Sequence, residues 1–239
     1  MKAKSGPPGI HDHVLSTLGQ GIVSGKYSEG SYLDPSQIMS EFRVSRTVAR
    51  EVLKVLGSKG LIEARPKTGT TVSSRSQWKL LDEEVMKWRA EDAADSLLVM
   101  ELEEIRLFVE PFSAKLCALR SSENQRNAIH SAAEDIASAE RAGNIEQIID
   151  ADLKFHQLIL KGAGNELLER FEVLLEPALR KRNRLTLQRD HSREFVEAHL
   201  LVATAIKDRR AEEAEESMRK LLSSAFSDTE SVLRQGPQN

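Results

Sequence analysis

Between His11 and about Ser24, the apolar positions Val14, Leu15, Leu18, Ile22 and Val23 fall on one face of a helix. Gly25-Lys26-Tyr27-Ser28-Glu29-Gly30 breaks that period as a glycine-punctuated turn. Asp34-Pro35-Ser36-Gln37 has the signature of a second helix start. Asp34 can cap, Pro35 suits the first helical position, and Gln37 can complete a capping box. Ile38, Met39 and Phe42 make the buried face, and a turn at Arg43-Val44 leads to Ser45, a good N-cap for a third helix. That helix carries Val48, Val52, Val55 and Leu56 on one stripe, with Arg46, Thr47 and Arg50 on the other side near its N-terminus. Gly60-Leu61-Ile62-Glu63-Ala64 and Thr70-Thr71-Val72 are short extended runs about a basic, glycine-bearing tip, Arg65-Pro66-Lys67-Thr68-Gly69. Three helices and a β-hairpin make a winged helix-turn-helix.

Beyond it, Ser73-Ser74-Arg75-Ser76-Gln77 is polar and aperiodic. Trp78, Leu81, Val85 and Trp88 then share the inner face of a short helix. Helical patterns follow over about 96–120, 123–142, 145–161, 166–189, 193–207 and 210–233, and no strand-like alternation interrupts them. The fold class expected is mainly α: a winged helix-turn-helix followed by an antiparallel all-α bundle of six to seven helices. The expected segments are a disordered tail at 1–9, the winged domain at 10–73, a linker at 74–77, the helical domain at 78–233 and a tail at 234–239.

Charge divides along the same line. Residues 1–77 hold eleven Lys and Arg against six Asp and Glu, whereas the remainder holds 23 against 31 within an overall charge of −3. A basic first third joined to an acidic remainder suits a polyanion-binding module attached to something else. Cys117 is the single cysteine, which excludes an intramolecular disulfide framework and a Cys-rich zinc site and fits a reducing cytoplasm. No apolar run is long enough for a membrane span.

Two groups of residues carry candidate chemistry. Arg46, Thr47 and Arg50 point away from the core at a helix N-terminus, as side chains do that enter a major groove. Taken alone, the same helix reads equally as a solvated basic face. In the second domain, Asp152 and His156 project from one helix face, His199 stands beside Ala198 and Val202, and Arg106 lies between Ile105 and Val109. A carboxylate and imidazoles from separate helices can hold a divalent metal, and a neighbouring Arg can grip a small carboxylate bidentately. The Asp-x-x-x-His spacing also occurs in plain surface contacts. A metal-dependent enzyme could use Asp152, His156 and His199, although no nucleophile with an activating base is evident. A constitutive DNA binder would need no such cluster.

Residues 10–73 resemble the N-terminal domain of the GntR family of bacterial transcription regulators. The likeness rests on Gln20-Gly21-Ile22-Val23-Ser24-Gly25-Lys26-Tyr27, on Val44-Ser45-Arg46-Thr47-Val48-Ala49-Arg50-Glu51-Val52-Leu53, and on Gly60-Leu61-Ile62 with Thr68-Gly69-Thr70. It implies operator contacts from Ser45, Arg46, Thr47 and Arg50, and from Lys67, Thr68 and Gly69 on the wing. Ser36 stands where an arginine is usual in the FadR subfamily; a hydroxyl can bind phosphate but cannot make the bidentate guanine contact. Residues 78–233 look like that subfamily's helical ligand-binding domain, through Glu104-Ile105-Arg106, Glu110-Pro111, Asp152-x-x-x-His156 and Gly162-Ala163-Gly164-Asn165. The likeness implies effector binding by Arg106, Asp152, His156 and His199, with a divalent metal, zinc or similar, on the last three. The third family histidine falls on Leu221, which cannot ligate, so a metal-free site is the other form the likeness allows. His130 is a helix-surface residue rather than a substitute ligand. The lead-in Ser76-Gln77-Trp78-Lys79-Leu80-Leu81-Asp82, with the missing histidine, resembles members that control sugar-acid catabolism and implies an aldonate or related hydroxy acid as effector. The implied regulator is a homodimeric cytoplasmic repressor on palindromic DNA, neither an enzyme nor membrane-bound, switched through the linker at Ser73–Gln77.

Overall fold

The computed structural model describes residues 9–65, 69–186 and 193–235. Lys67 and Thr68 lie outside the described residues, as do all but Gly9 of the first expected tail and all but residues 234–235 of the last. The chain divides into two compact units, residues 1–95 and 96–239. Among the described residues, no helix is long and apolar enough to cross a membrane.

In the first unit α1 (Ile10–Val23), α2 (Pro35–Phe42) and α3 (Arg46–Ser58) precede a hairpin of β1 (Ile62–Arg65) and β2 (Gly69–Val72). Val14, Leu18 and Ile22 of α1 share a core with Ala49, Val52 and Leu56 of α3, and Leu61 and Val72 extend it under the hairpin. Each such side chain, fully buried, contributes about 1.5–3 kcal/mol. Val48 and Val55 flank this face, half-buried, and Ala49 takes the closest position to α1. Asp34 caps α2 by accepting from Ser36 N at 2.8 Å; among the described residues the box with Gln37 is not formed. The strands pair antiparallel from Ile62 opposite Val72 to Arg65 opposite Gly69, and Tyr32 adds one bridge to Thr71.

The chain does not leave this unit after the hairpin. A short 3-10 turn at Arg75–Gln77 lies over Gly60, where φ is +76° and a Cβ would come within 2.1 Å of the Gln77 carbonyl oxygen. Lys79 N donates to Lys59 O at 3.0 Å. The buried Lys59 ammonium meets Asp82 at 2.8 Å and Glu84 at 2.6 Å. Burial works to lower the Lys59 pKa, but these two carboxylates win and raise it. Next, α4 (Glu83–Glu91) packs on α1 because Gly19 leaves room for the Trp88 ring; a Cβ there would sit 2.5 Å from it. Val85 and Trp88 are thus buried in the winged-helix core. Leu81, expected on the same inner face, is 75% exposed because α4 begins only at Glu83, with Asp82 as its cap. The boundary therefore falls at Asp95–Ser96 rather than at 74–77, and residues 78–95 belong with the first unit.

The second unit contains seven helices among the described residues: α5 (Ser96–Arg120), α6 (Glu123–Arg141), α7 (Ile145–Gly162), α8 (Glu166–Glu169), α9 (Glu172–Thr186), α10 (Arg193–Lys207) and α11 (Ala211–Gln235). The pattern over 166–189 thus resolves into two helices. Ser122 and Gln125 form a capping box at the start of α6, and Asn144 and Asn165 cap α7 and α8. Helix α5 runs along α11, α6 along α7, and α10 packs against both α6 and α11. Small residues (Ala114, Ala118, Ala132, Ala133, Ala203 and Ala214) bring these backbones close around Ile129, Ile136, Phe155, Ile159 and Ile206. One end of this core is filled by charge instead of hydrocarbon.

Candidate functional site

Polar groups gather on one face of the first unit and inside the second. On α3, Ser45 Oγ accepts from Val48 N at 3.3 Å, which starts the helix and leaves Arg46, Thr47 and Arg50 exposed on its first two turns. The Ser45 hydroxyl serves first as a cap and keeps its proton for a further acceptor. Ser36 is exposed at the start of α2, where free amides favour an anion. Gly69 adopts φ +81° beneath the Tyr32 ring, and a Cβ would approach that ring to 2.3 Å. Glycine is therefore required here by the protein's own packing. Tyr32, 55% exposed beside it, had no distinguishing mark in the sequence.

Inside the second unit, α5 contributes Glu103, Arg106 and Glu110, α7 contributes Asp152 and His156, α9 contributes Arg182 and Asn183, and α10 contributes His199. All are buried. Arg106 Nε donates to Glu110 Oε1 at 2.6 Å, its Nη1 to Glu103 Oε1 at 3.1 Å, and its Nη2 lies 3.0 Å from His156 Nε2. His156 Nδ1 is 2.5 Å from Glu110 Oε2, an ion-pair contact that draws the ring's first proton to Nδ1. Asp152 Oδ1 lies 2.9 Å from His199 Nε2 and 3.5 Å from His156 Nε2, while its Oδ2 accepts from Asn183 Nδ2 at 2.7 Å. His199 Nδ1 lies 2.7 Å from the Phe195 carbonyl. Arg182 Nη1 donates to Asn183 Oδ1 at 2.6 Å, but its Nε is buried without a hydrogen bond, 3.6 Å from Glu103 Oε1.

These distances set the protonation. Burial would raise the Glu110 pKa, yet Arg106 and His156 hold it at about 2. Asp152 is likewise held well below the ordinary carboxylate range, against burial, by His156 and His199. Burial pushes His156 down, Glu110 and Asp152 push it up against Arg106, and the net direction is up. Burial lowers Arg182. Arg106 and Arg182 face Glu103, Glu110 and Asp152, and these carboxylates favour the charged form of His156 between them. Both nitrogens of His199 face acceptors, and a neutral ring can satisfy only one of them.

The donor set fits a divalent ion. One ligand atom from each of Asp152, His156 and His199 lies within 4.8 Å of the others. Both Nδ1 atoms face acceptors, as those of ligating histidines do. Leu221 lines the adjoining cavity without offering a ligand, which would leave coordination positions open. That cavity, ≈ 60 Å³, is also bounded by Arg106, Arg182, Phe195, Ser224 and Asp228. Arg106 reaches the cavity as expected, but its guanidinium is already held by two carboxylates. Arg182 lines the cavity too, with its Nε facing Glu103 at 3.6 Å. His130 faces Glu134 at 3.5 Å on the surface of α6, away from these ligands. The spacing Glu103-x-x-Arg106-x-x-x-Glu110 could have revealed the α5 carboxylates, since three and four steps share a helix face. Arg182 sits in the run Lys181-Arg182-Asn183-Arg184, which reads as a solvated basic face, so no sequence signal marked it.

Comparisons with known proteins find two family domains along the chain. A family model described as bacterial regulatory proteins, gntR family, matches residues 10–72, and an FCD domain model matches residues 101–224. The Galactonate operon transcriptional repressor of Escherichia coli is 29% identical over 217 residues, covering 90% of this chain and 94% of that protein. The HTH-type transcriptional repressor NanR of Klebsiella aerogenes is 27% identical over 90% of this chain and 83% of that protein. The solved structure of Streptococcus agalactiae GntR superposes with a TM-score of 0.52 at 22% identity, covering 91% of this chain and 99% of that one.

Proposed function

The chain belongs to the gntR family of bacterial regulatory proteins, whose members regulate transcription rather than catalyse reactions, and on that premise we propose that it is a dimeric repressor of a sugar-acid operon. An aldonate or related hydroxy acid, bound among Arg182, Asp152, His156 and His199, releases it from palindromic operator DNA in the cytoplasm. The observation that carries this reading is the set of buried Arg106, Asp152, His156, Arg182 and His199 that line one cavity. A carboxylate meets Arg182, and hydroxyls find Ser224 and Asp228 on α11, where Leu221 has replaced a ligand. A divalent ion on Asp152, His156 and His199, zinc or similar, would supply positive charge that a carboxylate and a neighbouring hydroxyl can share.

Size couples binding to movement. A water needs roughly 10–15 Å³ of such space, so the ≈ 60 Å³ cavity has room for a few waters. A six-carbon acid needs more. Its entry must displace α9, α10 or α11 against α5, and the shift of these helices is the event passed on to the DNA-binding unit. Because residues 74–95 are packed into the first unit, transmission runs through Asp95–Ser96 and not through a loose segment at Ser73–Gln77. Linkage then requires operator DNA to weaken effector binding by the same factor that effector weakens DNA binding.

Titration of galactonate and other aldonates into a protein–operator complex tests the reading. Release of DNA by one of them, with a matching loss of aldonate affinity in the presence of operator, is the expected result. If no aldonate shifts either the operator affinity or the melting midpoint, the sugar-acid assignment falls.

A further inference from the structure

Arg43 occupies a position where a helix end calls for glycine. It closes α2 in the left-handed region, with φ 53° and ψ 43°, a conformation that costs any residue with a Cβ and that helix ends usually give to Gly or Asn. The backbone there is fixed, since Met39 O accepts from both Arg43 N and Val44 N. The side chain adds nothing visible to the fold. It is exposed, and it makes no hydrogen bond or ion pair among the described residues. Strain kept at a residue whose side chain does no structural work points to a task outside the fold.

Its neighbours indicate the task. Arg43, Arg46, Arg50 and Lys54 follow at intervals of three, four and four, all exposed, while Ala49, Val52 and Leu56 are buried. Among the described residues, Lys54 alone of the four has a carboxylate near, Glu51 at 4.0 Å. Such an uncompensated row of cations suits phosphates. Base edges are reached by the first turns of a recognition helix, whereas a side chain on the turn before it meets the rim of the groove. At the start of α2, Ser36 brings no charge to that rim.

We propose that Arg43 is a DNA-backbone contact: its guanidinium binds a phosphate flanking the groove read by α3 and holds the helix in register. The turn tolerates a strained backbone because the cation is needed there. This goes beyond the residues expected to read the operator.

The full-length protein, Arg43→Gly and Arg43→Lys are compared on two probes. One is a duplex selected by the wild-type protein from a randomised pool; the other is a random-sequence duplex. Arg43→Gly should melt a few degrees higher, because the strain is gone, yet bind both duplexes several-fold more weakly. Its plot of log affinity against log salt should be shallower by about 0.9 for each phosphate no longer neutralised. Arg43→Lys should keep the wild-type slope. Unchanged affinity and slope in Arg43→Gly overturn the proposal, as does a lysine variant no better than glycine. A loss confined to the selected duplex, with altered preference at one base pair, also overturns it, because Arg43 would then read a base. An unraised melting midpoint removes the strain premise. Failure of the wild type to select any duplex would instead count against DNA binding itself.

Discussion

His199 Nε2 lies 2.9 Å from Asp152 Oδ1 while the ring's other nitrogen is 2.7 Å from the Phe195 carbonyl. With His156, these two residues offer ligand atoms that lie within 4.8 Å of one another. The metal reading predicts that zinc added to chelator-treated protein binds once per chain and raises the melting midpoint. At a hundredfold excess over Kd the gain is about 2.7 kcal/mol, or roughly 5–10 °C for a unit of this size. Elemental analysis and thermal denaturation of wild type, Asp152→Asn and His199→Ala check it. Equal zinc binding by all three would place the ion elsewhere.

Arg106 and Arg182 should behave differently when truncated. Arg106 is locked between Glu103 and Glu110 in a fully buried network. Its loss strands two carboxylates, and Arg106→Ala should cost roughly 3–5 kcal/mol of stability. Arg182 lines the cavity and makes a looser contact, 3.6 Å, with Glu103. Arg182→Lys keeps the charge but loses the planar fork, so it should retain most stability and operator binding while losing effector response. Denaturation with operator titration, with and without aldonate, separates the two. An Arg182→Lys protein that still releases DNA at wild-type aldonate concentrations rules out Arg182 as the carboxylate partner.

How far these features were legible depends on whether the signal was local. The three reading helices and the hairpin follow from periodicity, from Ser45 and Asp34 as caps, and from the glycine at the wing. Asp152 and His156 are one turn apart on one helix, so their meeting needed no tertiary information. The place of α4 could not be read in this way. It depends on Gly19 making room for Trp88, a contact between distant stretches that periodicity does not report, and the domain boundary moved accordingly. Helix α5 departs from the usual pattern in its middle, between buried apolar residues at either end such as Leu98, Val99, Leu102 and Leu116. Its charged Glu103, Arg106 and Glu110 are buried, while apolar Ile105, Phe108 and Phe112 are exposed. A hydrophobicity reading assigns those positions the wrong way round, because the buried charges pair with one another and with His156 instead of facing water.

Glu110 predicts a specific acid sensitivity. Burial alone would raise its pKa, but Arg106 and His156 lower it from 4.5 to about 2. A depressed folded-state pKa contributes stability that is fully present above 4.5 and is lost as pH falls through about 2. Glu110→Gln should therefore melt well below wild type at neutral pH, with the gap narrowing as pH drops from 4.5 toward 2. Melting midpoints across that range check the sign. A gap independent of pH would mean that packing, not the carboxylate's charge, accounts for the loss.

The exposed face of α5 predicts how two copies meet. Phe108 is 84% exposed, and Ile105, Phe112 and Leu119 are exposed on the same helix at spacings that keep them on one stripe. Apolar stripes of this length on a soluble chain mark a surface that a partner covers. A second copy fits because α5 complements itself. Phe108 lies near the middle of the stripe, so two α5 helices crossing antiparallel there set apolar side chains against apolar side chains. Charge at the centre of that crossing should be tolerated by the monomer and not by the pair. Phe108→Glu should sediment as a monomer at concentrations where wild type is a dimer. Its melting midpoint should stay near that of the wild type extrapolated to low concentration, since an exposed substitution costs about 0.5 kcal/mol or less. Affinity for a palindromic duplex should fall toward that for a single half-site, because the two reading helices are no longer joined. A dimer that survives both Phe108→Glu and Phe112→Glu would mean that another face joins the copies.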